Sequence, residues 1–368
     1  MAEVKKPVVL FIAVLLSLLM CAAAFAATNF TACDKIMYCE DRVNFRTEPQ
    51  IRTGNVIACL KSGEKLQVTG ENGEWSQAVR LSDGKKGYVA SRYLHAADQT
   101  SADSSAKSAD ATAQSTSGGG TPIGLNPSWK YASYAKISSG SATLYTPAAG
   151  DKGITICVNA GHGTRGGSSV KTQCHPDGSA KVSGGTTSAG SYTAVAVSTG
   201  TEFLDHTSEA SVTLACAKIL RDKLLAKGYR VLMIRDGEDI QLDNVARTVI
   251  ANNKADAHIA LHWDSTENDK GAYYCSVADV ASYRAMEPVA SNWKKHHALG
   301  DALIQGLRDN GCRIWSGNPL SSDLTQLSYS TIPSVDIELG DRASDHSQGT
   351  LNKLAEGLAN GVDRYFKN

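Results

Sequence analysis

The sequence predicts two architectures in one chain: an α/β domain with an open, mostly parallel sheet flanked by helices, preceded by a small all-β barrel. Three observations carry this. From Gly153 onward, short apolar runs alternate with stretches of helical period, the pattern of strands joined by crossover helices. Between residues 31 and 96, strand-length apolar runs alternate with Gly, Asn and Asp turn signals. Between residues 97 and 128 the composition shifts to Ser, Ala, Thr and Gly, which buries too little surface to offset chain entropy and reads as a flexible linker.

The elements follow in chain order. Residues 1–26 read as a secretory signal peptide: Lys5 and Lys6, then PVVLFIAVLLSLLM, then the cleavage signal Ala24-Phe25-Ala26. The apolar run is short for a bilayer span, and no later stretch is long and apolar enough to cross one. The expectation is a secreted protein, extracellular or wall-associated, with no stable membrane insertion after cleavage. The barrel (31–96) is built from GNVIACLKSGEKLQVTG, ENGEW and SDGKKGYVASRYL. After the linker comes a lead-in segment (129–152), and the α/β domain occupies 153–368. There GITICVNA is a continuous apolar run, as expected for a strand covered on both faces. SEASVTLACAKILRDKLLAKG places Val212, Cys216, Ile219 and Leu220 at helical spacing, with Ser208 as N-cap and Gly228 as stop. YRVLMI, ADAHIALH and IPSVDIEL are further strands. QLDNVARTVIANN, SNWKKHHALGDALIQGLRDNG and LNKLAEGLANGVDRYF are further helices.

The 37 basic and 37 acidic side chains cancel, leaving no long-range field and excluding nucleic acid as a partner. Of nine cysteines, Cys21 falls in the signal peptide. The rest divide into Cys33, Cys39 and Cys59 before the linker and five after it, so full pairing needs a bridge between domains; free thiols account for them equally well. Cys-x-x-Cys spacing is absent, which argues against a thiolate zinc site. The residues carry no sign of oligomeric state.

In an open α/β sheet the ligand site lies outside the carboxyl ends of the strands. His162 stands just past the first strand of the domain, His262 ends ADAHIALH, Glu209 opens the first helix and Glu338 ends SVDIE. Two imidazoles and a carboxylate are an open ligand set for hydrolytic zinc, and a further carboxylate is what such a site needs as a base. The glycines beside His162 let the backbone turn sharply.

The barrel segment resembles the bacterial Src-homology-3-like domains of cell-wall proteins. Val43-Asn44-Phe45-Arg46, LKSGEKLQV with Gly63, Trp75 and GKKGYVASRYL carry the likeness. From Gly153 to Phe366 the chain resembles the zinc-dependent N-acetylmuramoyl-L-alanine amidases of the type-3 family. Five motifs match in order: VNAGHG, EASVTL, GYRVLMIRD, RTVIANNKADAHIALHWDS and VDIELG. The resemblance implies one Zn2+ held by His162, Glu209 and His262, with Glu338 as the catalytic carboxylate. The implied reaction is hydrolysis of the amide between N-acetylmuramic acid and L-alanine in peptidoglycan by a zinc-activated water. Two other functions fit the residues: a wall-binding protein with a decayed site, and a zinc peptidase acting within the stem peptide.

Several positions depart from the family pattern. About 45 residues separate His162 from Glu209, and this Gly/Ser/Thr-rich insert holds rival ligands His175, Glu202 and His206. Glu209 is preferred because it alone opens the periodic helix. Trp263-Asp264 replaces a small residue and Asn, DRASD follows Gly340, and Asp336 shares the face of Glu338 where members are usually apolar. His258, deeper on the face of His262, reads as a core histidine. Arg247 is assigned either to substrate contact or to a partner within the fold.

Overall fold

The computed structural model describes residues 30–39, 43–52, 54–61, 64–96 and 120–367. The expected signal peptide, Gly63 and most of the expected linker lie outside them. The chain divides into two compact units that part near residue 110.

The first unit is a seven-stranded antiparallel sheet: β1 (Thr31–Cys39), β2 (Val43–Arg46), β3 (Val56–Leu60), β4 (Lys65–Glu71), β5 (Trp75–Arg80), β6 (Lys86–Ala90) and β7 (Leu94–Ala96), in the order β3-β2-β6-β5-β4-β1-β7. Along β4 and β5, buried and more exposed residues alternate, the signature of a sheet with one dry face. Leu60 from one edge and Leu94 from the other share a single core with Phe45, Leu66, Val68 and Val89, so the sheet curls around its own apolar face.

In the second unit, an eight-stranded sheet has the order β16-β15-β17-β14-β10-β13-β9-β8. Its strands are β8 (Thr121–Gly124), β9 (Ser141–Tyr145), β10 (Thr155–Ala160), β13 (Arg230–Met233), β14 (Ala257–Asp264), β15 (Tyr273–Val277), β16 (Leu320–Ser322) and β17 (Ser334–Asp341). A separate hairpin, β11 (Lys171–Gln173) with β12 (Thr193–Val195), lies in the insert. The central strands β13, β10, β14 and β17 run parallel. The margins add antiparallel pairs, β9 on β13, β8 on β9 and β15 on β17, and the edge strand β16 runs parallel to β15. The sheet is therefore mixed. Thr121–Gly124, read in sequence as the end of the linker, form an edge strand, and the lead-in segment supplies its partner β9. These strands bury little apolar surface, and Pro122 stands where only an edge tolerates it, so their composition resembles that of a linker.

The helices are α1 (Glu209–Ala226), α2 (Asn244–Lys254), α3 (Ala281–Ala285), α4 (Val289–Asp309), α5 (Thr325–Tyr329) and α6 (Gln348–Lys367). Successive residues of β10 face opposite cores, as the pleat requires. Ile156 and Val158 pack with Val212, Leu220, Leu303 and Leu358 of α1, α4 and α6. Cys157 packs with Ala246 and Ile250 of α2 on the other side. Ser208 caps α1 by accepting from Ser211 N, and Asp243 caps α2 by accepting from Ala246 N. No helix among the described residues is long and apolar enough to cross a membrane. The eight cysteines of the described residues are free.

Candidate metal centre

From β10 the chain passes to β13 on one side of it, then to β14 on the other. The carboxyl ends of β10 and β14 therefore flank a switch point, where an open sheet leaves a crevice. His162 follows β10, and His262 lies near the end of β14 with Glu338 of β17 directly opposite in register. Glu209 is the first residue of α1. His162, Glu209, His262, Asp336 and Glu338 line one cavity of about 690 Å³, walled on one side by the insert through Gly184, Thr187 and Ser198.

The turn after β10 has a specific shape. His162 adopts a left-handed backbone, φ 63°, which a non-glycine residue enters at a cost. Two buried guanidiniums hold it there. Arg247 Nη2 donates to His162 O at 2.6 Å and its Nη1 to Asn159 Oδ1 at 3.2 Å; Arg235 Nη2 donates to Gly161 O at 2.9 Å. Burial lowers the Arg247 pKa to about 9 and that of Arg235 to about 10, so both stay charged at neutral pH. Arg247 thus finds its partners within the fold. Gly161 answers a second constraint: a Cβ there would lie 2.3 Å from Cε1 of the His262 ring.

Three donor atoms meet. His162 Nε2 lies 2.7 Å from Glu209 Oε1, His262 Nδ1 lies 3.1 Å from the same oxygen, and the two nitrogens are 3.0 Å apart. Tetrahedral zinc with bonds of about 2.0–2.2 Å separates its ligand atoms by roughly 3.3–3.6 Å, so the three side chains stand closer together than that ligand set requires, the His162–Glu209 pair by more than half an ångström. Outer partners orient each side chain. His162 Nδ1 is 3.0 Å from both Ser198 O and Ser198 Oγ; donating to that carbonyl frees Nε2 as the lone-pair nitrogen. Glu209 Oε1 accepts from Trp263 N at 3.0 Å and Oε2 from Thr201 N at 2.9 Å. Burial pushes the Glu209 pKa up, but the hydrogen bonds and charges of His162 and His262 outweigh it and hold the carboxyl well below the usual range.

Charge in the cavity is unbalanced. Burial alone would lower the His262 pKa, yet Asp336, Glu209 and Glu338 raise it to about 10. Burial raises the pKa of both Asp336 and Glu338, and Glu338 Oε2 is buried without a hydrogen-bond partner. Three carboxylates surround two imidazoles, and the donor set is two nitrogens and an oxygen. The residues fit a divalent cation, and among the described residues His162, Glu209 and His262 form the group able to hold one.

The rival ligands are elsewhere. His175 pairs with Asp323 at 3.1 Å and Ser179 Oγ at 2.8 Å, and exposed His206 is 3.8 Å from exposed Glu202. His258 is fully buried; burial lowers its pKa to about 3, which suits a neutral core residue. Asp264 accepts from Tyr273 Oη at 2.6 Å and from Lys270 Nζ. Sequence reasoning missed Arg235 as a support and Ser198 and Thr201 as outer partners. Arg235 lies inside a matched motif as a charged residue right after a buried strand, and that was a usable signal. The other two lie in the insert, where no local pattern marks them.

Comparison with known proteins places these features. A family model described as N-acetylmuramoyl-L-alanine amidase matches residues 156–364, and a bacterial SH3 domain model matches residues 41–95. No curated protein matches the chain. Similar solved structures include the apo N-acetylmuramyl-L-alanine amidase Ami1 of Mycobacterium abscessus, 20% identical, covering 58% of this chain and 99% of that one with a TM-score of 0.46. Ami1 of Mycobacterium smegmatis is 18% identical over 60% of this chain and 99% of its own, with a TM-score of 0.45. The amidase AmiC2 of Nostoc punctiforme is 18% identical over 60% of this chain and 100% of its own, with a TM-score of 0.42. With more than half of its 368 residues matched by the family model, the chain belongs to the N-acetylmuramoyl-L-alanine amidases, enzymes of peptidoglycan, and carries a bacterial SH3 domain ahead of the amidase domain.

Proposed function

We propose that the enzyme uses zinc, held by His162, Glu209 and His262, and that Glu338 is its catalytic carboxylate in cleaving the amide between N-acetylmuramic acid and L-alanine. The observation that carries this is the convergence of His162 Nε2, Glu209 Oε1 and His262 Nδ1 within 3.1 Å of one another at the floor of the cavity. Bound there, zinc supplies a Lewis acid that lowers the pKa of a water from about 15.7 toward about 7. Ser198 keeps His162 in the tautomer that offers Nε2, and the backbone amides of Trp263 and Thr201 hold the Glu209 carboxylate in place. Glu338, opposite His262 on the next strand, accepts the proton of the attacking water and returns it to the departing amine.

The amidase and SH3 domains together point to the cell wall as the place of action. We extend this to a secreted enzyme whose residues 31–96 hold it to the wall, with the segment that follows as the tether to a catalytic domain whose sheet begins at β8 (Thr121–Gly124). Mass spectrometry of walls digested by the full chain tests the bond cleaved. The expected products are glycan strands free of peptide and intact stem peptides with a new L-alanine amino terminus. Sugar chains that keep a peptide stub would replace this reading with a peptidase.

A further inference from the structure

We propose that Asp336 is the positioning residue of His262: with Nδ1 turned to the metal, His262 donates its Nε2–H to the Asp336 carboxylate, which fixes the ring and strengthens it as a ligand. The inference rests on the zinc reading above and deepens it.

The geometry separates the two ring nitrogens. Nδ1 lies 3.0 Å from His162 Nε2 and 3.1 Å from Glu209 Oε1, so it is the nitrogen facing the shared centre. A neutral imidazole that offers Nδ1 carries its proton on Nε2. That nitrogen is 3.6 Å from Asp336 Oδ2. The separation exceeds a formed hydrogen bond by a few tenths of an ångström, which a small rotation of the carboxylate closes.

Register explains why Asp336 and not Glu338 has this task. In β17 the two side chains share a face, with Glu338 opposite His262 and Asp336 one pleat deeper opposite Ala260. The neighbour of Asp336 on the other side is Cys275. A largely buried carboxylate with Ala and Cys as its strand neighbours is unfavourable unless something pairs with it. No other side chain among the described residues forms an ion pair with it. The two histidines thus have different outer partners, a neutral carbonyl and hydroxyl of Ser198 for His162 and an anion for His262. Losing the carboxylate partner of a ligating histidine weakens metal affinity by about 10–100-fold.

The test uses the full chain as wild type, Asp336→Leu and Asp336→Asn, with zinc affinity read by competition against a chromophoric chelator. Apo melting temperature and the His262 tautomer, by 15N NMR of the zinc-loaded wild type, are measured alongside. Asp336→Leu is expected to weaken zinc binding about 10–100-fold while apo melting stays level or rises, because a buried carboxylate is gone. Asp336→Asn, whose amide oxygen still accepts, is expected to fall between. Zinc affinity in Asp336→Leu within twofold of wild type overturns the proposal, and so does an affinity loss that parallels a fall in apo melting. Should Asp336→Leu not fold, the zinc-loaded wild-type spectrum decides: an Nε2–H proton at His262 shifted downfield and slow to exchange, as a carboxylate acceptor makes it, supports the assignment, and an Nε2–H in free exchange with water or an Nδ1–H tautomer ends it. Wild type that binds no zinc at all is a different result, the failure of the zinc reading itself.

Discussion

Two buried histidine–carboxylate clusters lie in the same domain and have opposite characters. In one, Asp323, which follows β16, ties down the insert; it is 1% exposed and fully engaged, accepting from Lys181 Nζ at 2.7 Å, from Val182 N at 2.6 Å and from Ser183 Oγ, and pairing with His175 Nε2 at 3.1 Å. At the strand ends, Glu209, Asp336 and Glu338 surround His162 and His262, with Glu338 Oε2 left unpartnered. Nearly the same side chains make a staple in one place and an incomplete coordination shell in the other. What distinguishes them is satisfaction. A network whose donors and acceptors balance stabilises the fold, and one that leaves a buried carboxylate oxygen without a partner is built for something not in the chain.

Breaking each cluster separates these roles. The largest effect is expected from Glu338→Gln, which should lower release of stem peptides from walls about 10²–10⁴-fold while zinc stoichiometry is unchanged. Undiminished digestion would remove Glu338 from the chemistry. Asp323→Ala should do the reverse, destabilising the domain by about 3–5 kcal/mol in denaturant unfolding while zinc still binds, because Lys181 is left buried without its partner. Its pH dependence has a definite sign. Burial opposes ionisation, but His175, Lys181 and Ser183 hold the Asp323 pKa far below the ordinary value. Its stabilisation is therefore full above about pH 4 and is lost as pH falls through the folded value. Asp323→Ala should flatten that acid limb, and an unchanged limb would deny Asp323 its role.

Gly161→Ala sharpens the contrast from the other side. The new methyl meets the His262 ring at 2.3 Å and displaces it, so activity should fall about 10²-fold. Full activity in that variant would show that the ring need not stay where it is. The smallest effect is expected at Ser208. Ser208→Ala removes the cap of α1 and should cost about 1 kcal/mol with kcat unaltered, since Glu209 is held by Trp263 N and Thr201 N. A loss of activity larger than the loss of stability would mean that the cap also aims Glu209.

Much of this was legible from residue order. Val212, Cys216 and Leu220 repeat at helical spacing and pack against β10, and the cap at Ser208 is where the pattern puts it. His162, Glu209, His262 and Glu338 could be named because an α/β sheet has one edge where ligands fit. Less legible were β8 and β9, since antiparallel edge strands bury one face weakly and leave little periodicity. The role of Arg247 was open for a related reason: a lone Arg in a helix reads alike whether it meets substrate or a carbonyl 85 residues away.

Local pattern in the chain determined the classes of its two units, the order of the central strands and helices, and the residue types able to bind metal. Tertiary structure alone decided which atoms of those residues face one another. It turned His262 Nδ1 inward and Nε2 toward Asp336, drew Ser198 and Thr201 out of a featureless insert, and put His175 beyond use as a ligand by pairing it with Asp323. The physical reason is range. Hydrophobic period and capping act within a few residues, whereas the field and hydrogen bonds at each ionisable group come from segments that only folding makes neighbours.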